Sequence, residues 1–303
     1  MGFEKIVSQD KAVKLLKGTL ITKRIPSAFL FTGEPYIGKT TVALTYAKAL
    51  NCLEAEGDCC DVCQSCKKIE LGIHPDVKVI SAEKDTISIS SVREVEEFVF
   101  LSRLEAKYKV VIIRESHKMN LAAANALLKT LEEPPQNTVL ILTCENISKL
   151  PEPVVSRCFK VNFNPLSNPA IKKLFPEEQN SLVFKLAMGR PGIIKSMNII
   201  ETVEEIKNII QKKEKVNTFK DNEEAKWWID LLTVFLRDAI CQKLLDSSCK
   251  ILPNNLKIKE EVTLEKLYTI YDELQNIRKN IDLNLNKSIV LNYTEEILRR
   301  VYA

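Results

Sequence analysis

Glycine is scarce in this chain of 303 residues, which carries 8 glycines and 12 prolines, and that scarcity excludes fibrous and linker-dominated architectures. No apolar run approaches the ~18 residues that a bilayer-spanning helix needs, and residues 1–10 lack the layout of a secretory signal, so a cytosolic protein is expected. Neither sign of charge dominates. With 44 Lys and Arg against 40 Asp and Glu, the net charge is +4, too mild to demand or exclude a nucleic-acid partner. Internal repeats and low-complexity segments are also missing. What is present is an ordinary soluble composition, 45% apolar and 28% charged, in a chain long enough for two or more domains.

Cysteine is the exception to this evenness, because five of the nine fall between Cys52 and Cys66. In a reducing compartment such clustering points to metal rather than disulfides. Cys52, Cys60, Cys63 and Cys66 give C-x7-C-x2-C-x2-C, a set that can surround Zn²⁺ tetrahedrally and leave no position open, which makes the expected site structural. Cys59 is an extra neighbour. Cys144, Cys158, Cys241 and Cys249 are isolated and are expected to be buried small apolar side chains.

Hydrophobic periodicity orders the rest. Residues 3–20 have helical spacing at Ile6, Val13, Leu16 and Leu20, and residues 28–32 form a short apolar run that leads into a glycine loop and an amphipathic helix over 41–50. Strands are expected at 76–80, 109–113, 138–143 and 160–163, with helices at about 90–101, capped by Ser90 or Ser91, and 121–132, stopped by Pro134-Pro135. Alternating strands and helices imply a three-layer α/β domain ending near Asn164. Beyond Pro165 only helices are expected: short ones broken at Gly189-Arg190-Pro191-Gly192, then longer ones over 203–303. The last carries Ile289, Tyr293, Ile297 and Val301 every four residues, read as one apolar packing stripe.

The loop Gly33-Glu34-Pro35-Tyr36-Ile37-Gly38-Lys39-Thr40 has the composition of a phosphate cradle. Gly33 and Gly38 let backbone N–H groups converge on a phosphate, Lys39 adds a point charge, and the Thr40 hydroxyl can ligate magnesium, with Thr41 beside it. ATP or ADP is the expected ligand class. The third strand, however, ends Ile113-Arg114-Glu115. An ATPase needs one carboxylate there for its magnesium shell and a second to activate water; only Glu115 is available, as a possible residual base, and Arg114 brings a cation to the place of the metal. His117 is read as a structural histidine without a catalytic role.

Several longer runs resemble the clamp-loader subunits of the AAA+ superfamily: residues 24–33 leading into the phosphate loop, the cysteine module placed after its helix, His74-Pro75-Asp76, residues 125–135 (Asn-Ala-Leu-Leu-Lys-Thr-Leu-Glu-Glu-Pro-Pro), Leu150-Pro151, and Ser156-Arg157-Cys158. The likeness covers residues 3 to about 164; further on it rests on helical character and on Asn284-Leu285-Asn286. It implies an AAA+ P-loop domain over 1–164 with a zinc module at 52–66, a helical lid over 165–202, and an all-α collar domain over 203–303. It also implies a pentameric ring that loads a sliding clamp on primer-template DNA in replication, with tau/gamma and delta subunits of bacterial DNA polymerase III as partners and no membrane. In such rings the arginine of Ser-Arg-Cys reaches the ATP of the neighbouring subunit, so Arg157 is the candidate trans finger. Thr143 falls where the family places its first nucleotide sensor, with Cys144 and Asn146 as alternatives. The missing aspartate, and Gly192 where the ATP-hydrolysing tau/gamma type has a lid arginine, favour the non-motor, delta prime type. The alternatives are an active tau/gamma-type ATPase or a stand-alone zinc-bearing nucleotide switch. Nothing in the chain supplies the paired carboxylates of polymerase chemistry.

Overall fold

The computed structural model describes residues 2–83, 85–211, 218–244, 250–252, 256–281 and 285–302. The chain forms two compact units, one running to Pro176 and including Gly189–Gly192, the other comprising Glu177–Met188 and the residues from Ile193 onward.

In the first unit, strands β1 (Ala28–Thr32), β2 (Val77–Ile80), β3 (Lys109–Ile113), β4 (Thr138–Cys144) and β5 (Phe159–Asn162) make one sheet in the order β2-β3-β4-β1-β5, every pairing parallel. The apolar runs in β1, β3 and β4 are buried at every residue, as a parallel sheet covered on both faces requires. Alternate residues face opposite layers. Phe29, Phe31, Val110, Ile112, Val139 and Ile141 join the core with Leu16 of α1 (Asp10–Ile21) and Val42, Ala43 and Tyr46 of α2 (Lys39–Asn51). Ala28, Leu30, Val111, Ile113, Leu140 and Leu142 face Val92 and Val95 of the later helix Ile89–Phe100 and Leu127 of the helix Leu121–Glu132. Each fully buried Val, Leu, Ile or Phe in these layers contributes about 1.5–3 kcal/mol. The remaining helices of this unit are α3 (Gln64–Glu70), then α4 and α5 for the two just given, α6 (Glu152–Ser156) and α7 (Asn168–Leu174).

Two buried charges fix the far end of the sheet. The Lys109 ammonium donates to Phe98 O, Leu101 O and Ser102 O at 2.9, 2.7 and 3.3 Å, satisfying carbonyls that the end of α4 leaves unpaired. The Asp76 carboxylate accepts from the N–H groups of Leu104, Glu105 and Ala106 at 2.8–3.1 Å. Burial works against this carboxylate's charge, yet these donors hold its pKa below the usual carboxylate value.

Three local expectations change. Residues 3–20 are not one helix: a 3₁₀ turn covers Gly2–Lys5 and α1 starts at Asp10, because Ser8 sits in the left-handed region at φ 58° and breaks the path. The cap of α4 is Ser88, whose hydroxyl accepts from Ser91 N, not Ser90 or Ser91; Ile87 is still bridged to Met119, so the chain can leave the extended conformation only at the next residue. Among the isolated cysteines Cys144 and Cys158 are buried, but Cys241 is only half-buried. Cys249 and Asn284 lie outside the described residues.

The second unit contains helices α8 (Ser181–Leu186), α10 (Ile199–Ile210), α11 (Asn222–Leu244), α12 (Leu264–Asn280) and α13 (Lys287–Val301), with α9 (Pro191–Ser196) crossing the boundary. Trp228 of α11 donates its indole N–H to Thr294 Oγ1 of α13 at 3.0 Å, and the Tyr302 hydroxyl donates to Phe235 O at 2.6 Å. The buried face of α13 is Val290, Leu291, Thr294, Ile297, Leu298 and Val301, while Ile289 is exposed. A strict four-residue series advances about 40° per step on a helix of 3.6 residues per turn, so Ile289 and Val301 end up about a third of a turn apart. The real stripe alternates steps of three and four. No helix among the described residues is long and apolar enough to cross a membrane.

Ser88→Ala is expected to lower the unfolding free energy by about 1 kcal/mol, whereas Ser90→Ala is expected to stay within about 0.5 kcal/mol of the parent; denaturant titration of both checks the cap assignment.

Candidate nucleotide and metal sites

Strand β1 runs straight into the glycine loop. Gly33 has φ 147°, and a Cβ there would fall 2.5 Å from Phe163 O and 2.8 Å from Ile37 Cδ1, so only glycine lets the chain turn so close to the end of β5. Gly38 sits at φ 94° as the N-cap of α2 and, among the described residues, no side chain caps that helix. Its first-turn N–H groups and positive dipole end are therefore presented at the loop, the arrangement that receives an anion. Thr40 is half-buried and Thr41 exposed in that first turn.

Lys39 is folded back on its own loop. Its ammonium donates to Gly33 O and Glu34 O, both at 2.6 Å. Burial pushes its pKa down, and the carboxylates of Glu145, Glu34 and Glu115 work in the other direction. Lys39 thus lies within electrostatic reach of Glu34, Glu115 and Glu145 at the carboxyl ends of β1, β3 and β4, where open parallel sheets place their ligands. Sequence reading missed Glu145. Its signal was position alone: it is the first residue beyond a strand that pairs directly with the phosphate-loop strand, with Thr32 opposite Cys144. Glu145 lies 3.2 Å from Lys149 and 3.8 Å from His117 Nε2, and burial lowers the His117 pKa.

At the end of β3, Glu115 occupies the left-handed region at φ 49°, an unusual conformation for glutamate. It is held there from the neighbouring strand: Glu115 N donates to Thr143 Oγ1 and Ser116 Oγ donates to Thr143 O, each at 3.0 Å. The buried Thr143 hydroxyl is thereby occupied in shaping the Glu115 turn. The Glu115 carboxylate pairs with Lys118 at 3.3 Å. Arg114 is exposed at the strand end.

A second element closes on the loop. Gly192 N donates to Tyr36 O at 2.9 Å, and a Cβ at position 192 would lie 3.0 Å from Tyr36 O and 3.1 Å from Tyr36 Cβ. Any side chain there pushes on the phosphate loop itself. Sequence patterning carried no sign of this contact, which joins residues far apart in the chain.

Arg157 lies at the C-terminal end of α6, with its side chain 36% exposed. Its Nη1 donates to Pro153 O at 2.9 Å and its Nη2 to Glu132 Oε1 at 2.5 Å. The guanidinium is not buried in its own protomer.

The four predicted cysteines come together. Cys52 follows α2, Cys60 and Cys63 lie in the next loop, Cys66 is in the first turn of α3, and their sulfurs all fall within 4.8 Å of one another, every residue buried. Metal–thiolate bonds of about 2.3 Å put the sulfurs of a tetrahedral centre about 3.8 Å apart, so this donor set can hold a metal ion. Backbone N–H groups already point at sulfur: Ala55 and Cys60 to Cys52, Cys63 to Cys60, and Cys66 to Cys63, at 3.2–3.5 Å. Such donors favour the ionised sulfur that ligation needs. Cys59 stands apart, its thiol donating to Asp61 at 3.5 Å and pushed up to about 12 by burial. The module is tied to the domain through Asp61, which pairs with Lys48 and Lys5 at 2.7 Å, and through Lys48 with Glu70 at 2.9 Å.

A parallel sheet in this order, a phosphate loop entering α2 and a helical second unit define a P-loop protein of the AAA+ fold. The family described as DNA polymerase III, delta subunit, matches residues 8–167, and the chain belongs to it. Among its relatives, the DNA polymerase III subunit tau of Bacillus subtilis is 38% identical over 170 residues, which is 56% of this chain and 30% of that protein. The DNA polymerase III subunit delta' of the same organism is 35% identical over 173 residues, 57% of this chain and 53% of that protein. The chain thus matches about half or less of the length of these curated relatives. A DNA polymerase III gamma subunit-related protein of Thermotoga maritima shares the fold, with a TM-score of 0.56 at 20% identity over 95% of this chain and 98% of that one.

Cys66→Ser is expected to abolish stoichiometric metal and to lower the thermal midpoint by ~10 °C. Because ligating thiolates must be deprotonated, metal is also expected to leave as pH falls. Elemental analysis and thermal unfolding across pH read both effects.

Proposed function

We infer that this chain is a non-motor, delta prime-type subunit of a bacterial clamp loader, acting in DNA replication within a pentameric ring that opens a sliding clamp and places it on primed DNA. Its part is to lend Arg157 to the ATP of the neighbouring tau/gamma-type subunit. The observation that carries this reading is the exposed guanidinium of Ser156-Arg157-Cys158, set at the end of α6 with part of its fork still open. A guanidinium supplied across an interface stabilises charge on the transferring phosphoryl group and makes hydrolysis depend on assembly.

Two features argue against the chain being a motor in its own right. The β3 end offers Arg114 where a magnesium-positioning aspartate belongs, which would repel the ion or pair with phosphates directly. The lid arginine of the tau/gamma type is also missing, its place taken by Gly192, whose N–H donates to Tyr36 O. The phosphate loop remains suited to ATP or ADP, with Lys39 exchanging its two carbonyl partners for phosphate oxygens. The four-cysteine site is read as structural zinc, about one per chain, since four thiolates leave no position for a substrate. The helical unit serves as the collar that holds the ring, with tau/gamma and delta subunits as neighbours in the cytoplasm.

A second reading is an active tau/gamma-type ATPase, favoured by the intact loop, by Glu115 and by the 38% identity to a tau subunit. Sustained ATP hydrolysis by the purified chain, abolished by Lys39→Ala, would replace the first reading with this one. On the first reading, Arg157→Ala leaves the fold and ring stoichiometry intact and lowers DNA-stimulated turnover of the reconstituted complex by ~10-fold or more. Steady-state ATPase assays with mass measurement of the complex check both points, and unchanged turnover sinks the trans arginine.

A further inference from the structure

We propose that Glu132 is the positioning residue for Arg157: from the end of α5 it holds the guanidinium in its outward pose, ready for a phosphate brought by a neighbouring chain. The inference rests on the trans role of Arg157 and names what keeps that side chain in place.

The guanidinium is pinned by two different segments. Nη2 meets Glu132 Oε1 at 2.5 Å and Nη1 meets Pro153 O at 2.9 Å, so one terminal nitrogen is fixed by the end of α5 and the other by α6, the helix that Arg157 itself closes. Two anchors on the two prongs of a planar fork set its orientation. Of the five N–H donors of the group, these contacts use two and leave three for another acceptor.

Glu132 is poorly placed for any purpose of its own helix. It lies in the last turn of α5, where the peptide dipoles are negative, and Glu133 follows it directly. A carboxylate there is disfavoured by the dipole and by its neighbour, and Pro134-Pro135 ends the helix just beyond. The adverse charge finds its compensation in Arg157, 25 residues further along the chain and across β4. An exposed pair of this sort changes a folding equilibrium by less than about fivefold, so its effect on stability is small. Its effect on direction is larger, because an arginine free to sample its rotamers must be ordered again at every encounter with a phosphate.

The test uses the full chain in a complex reconstituted with its ATP-hydrolysing partners, with ATP and primed DNA as probes. Glu132→Gln is expected to keep the thermal midpoint and ring stoichiometry, to lower kcat about fivefold with the KM for ATP within about twofold, and to recover partly in Glu132→Asp. In an Arg157→Ala background the Glu132→Gln change is expected to cost nothing further, since nothing is left to position. The proposal is overturned if Glu132→Gln turns over as fast as the parent while Arg157→Ala is slow, or if the fivefold loss persists in the Arg157→Ala background. An Arg157→Ala complex at full speed overturns the trans role itself, and with it this inference.

Discussion

The placement of β1 between β4 and β5 is the constraint on which the rest of the first unit depends. Parallel pairing sets Thr32 opposite Cys144 on one side and Asn162 on the other, and the ladder continues past the strands: Gly33 N donates to Cys144 O and Phe163 N to Thr32 O. The phosphate loop therefore starts from a backbone held on both sides. The tight quarters at Gly33 and the place of Glu145 directly beyond the end of β4 follow from that register. A slip of one residue would send Phe29 and Phe31 to the opposite layer and lift the loop from its neighbours.

Charge is arranged unusually around this frame. A magnesium-dependent site needs carboxylates directed at the metal, yet Arg114 stands at the β3 end, Glu115 is paired with Lys118, and Lys39 rests on backbone carbonyls. At the end of α6, the half-exposed Arg157 is paired with Glu132 and with Pro153 O. The cysteine module is electrostatically separate, fastened by Asp61 and Lys48, with Asp61 held well below the usual carboxylate range: burial opposes its charge, but the donors Lys48, Lys5 and Gly2 N–H outweigh it.

Much of this was legible beforehand because it is written in local pattern. The largely apolar runs at 28–32, 109–113 and 138–143 read as covered strands, the glycine loop between a strand and a helix has few other meanings, and tight cysteine spacing brings its ligands together almost unaided. Expectations failed where a single backbone angle or a rotation decided the outcome. Ser8 breaks a helix that periodicity would continue, Ser88 takes the cap because Ile87 is still bridged, and Ile289 is turned out of the α13 face by accumulated rotation.

By itself the amino-acid order determined the principal strands and most of the longer helices, that the fold is a P-loop α/β domain followed by helices, and which thiols meet, because burial pattern, turn chemistry and ligand spacing act over a few residues. Only the tertiary structure decided that Glu145 comes within electrostatic reach of Lys39, that Gly192 lies on Tyr36, that Thr143 braces Glu115 and that Glu132 pairs with Arg157. Those contacts join residues distant in sequence through the register of neighbouring strands or the packing of separate helices and loops, and no local pattern records where a neighbouring element will stop.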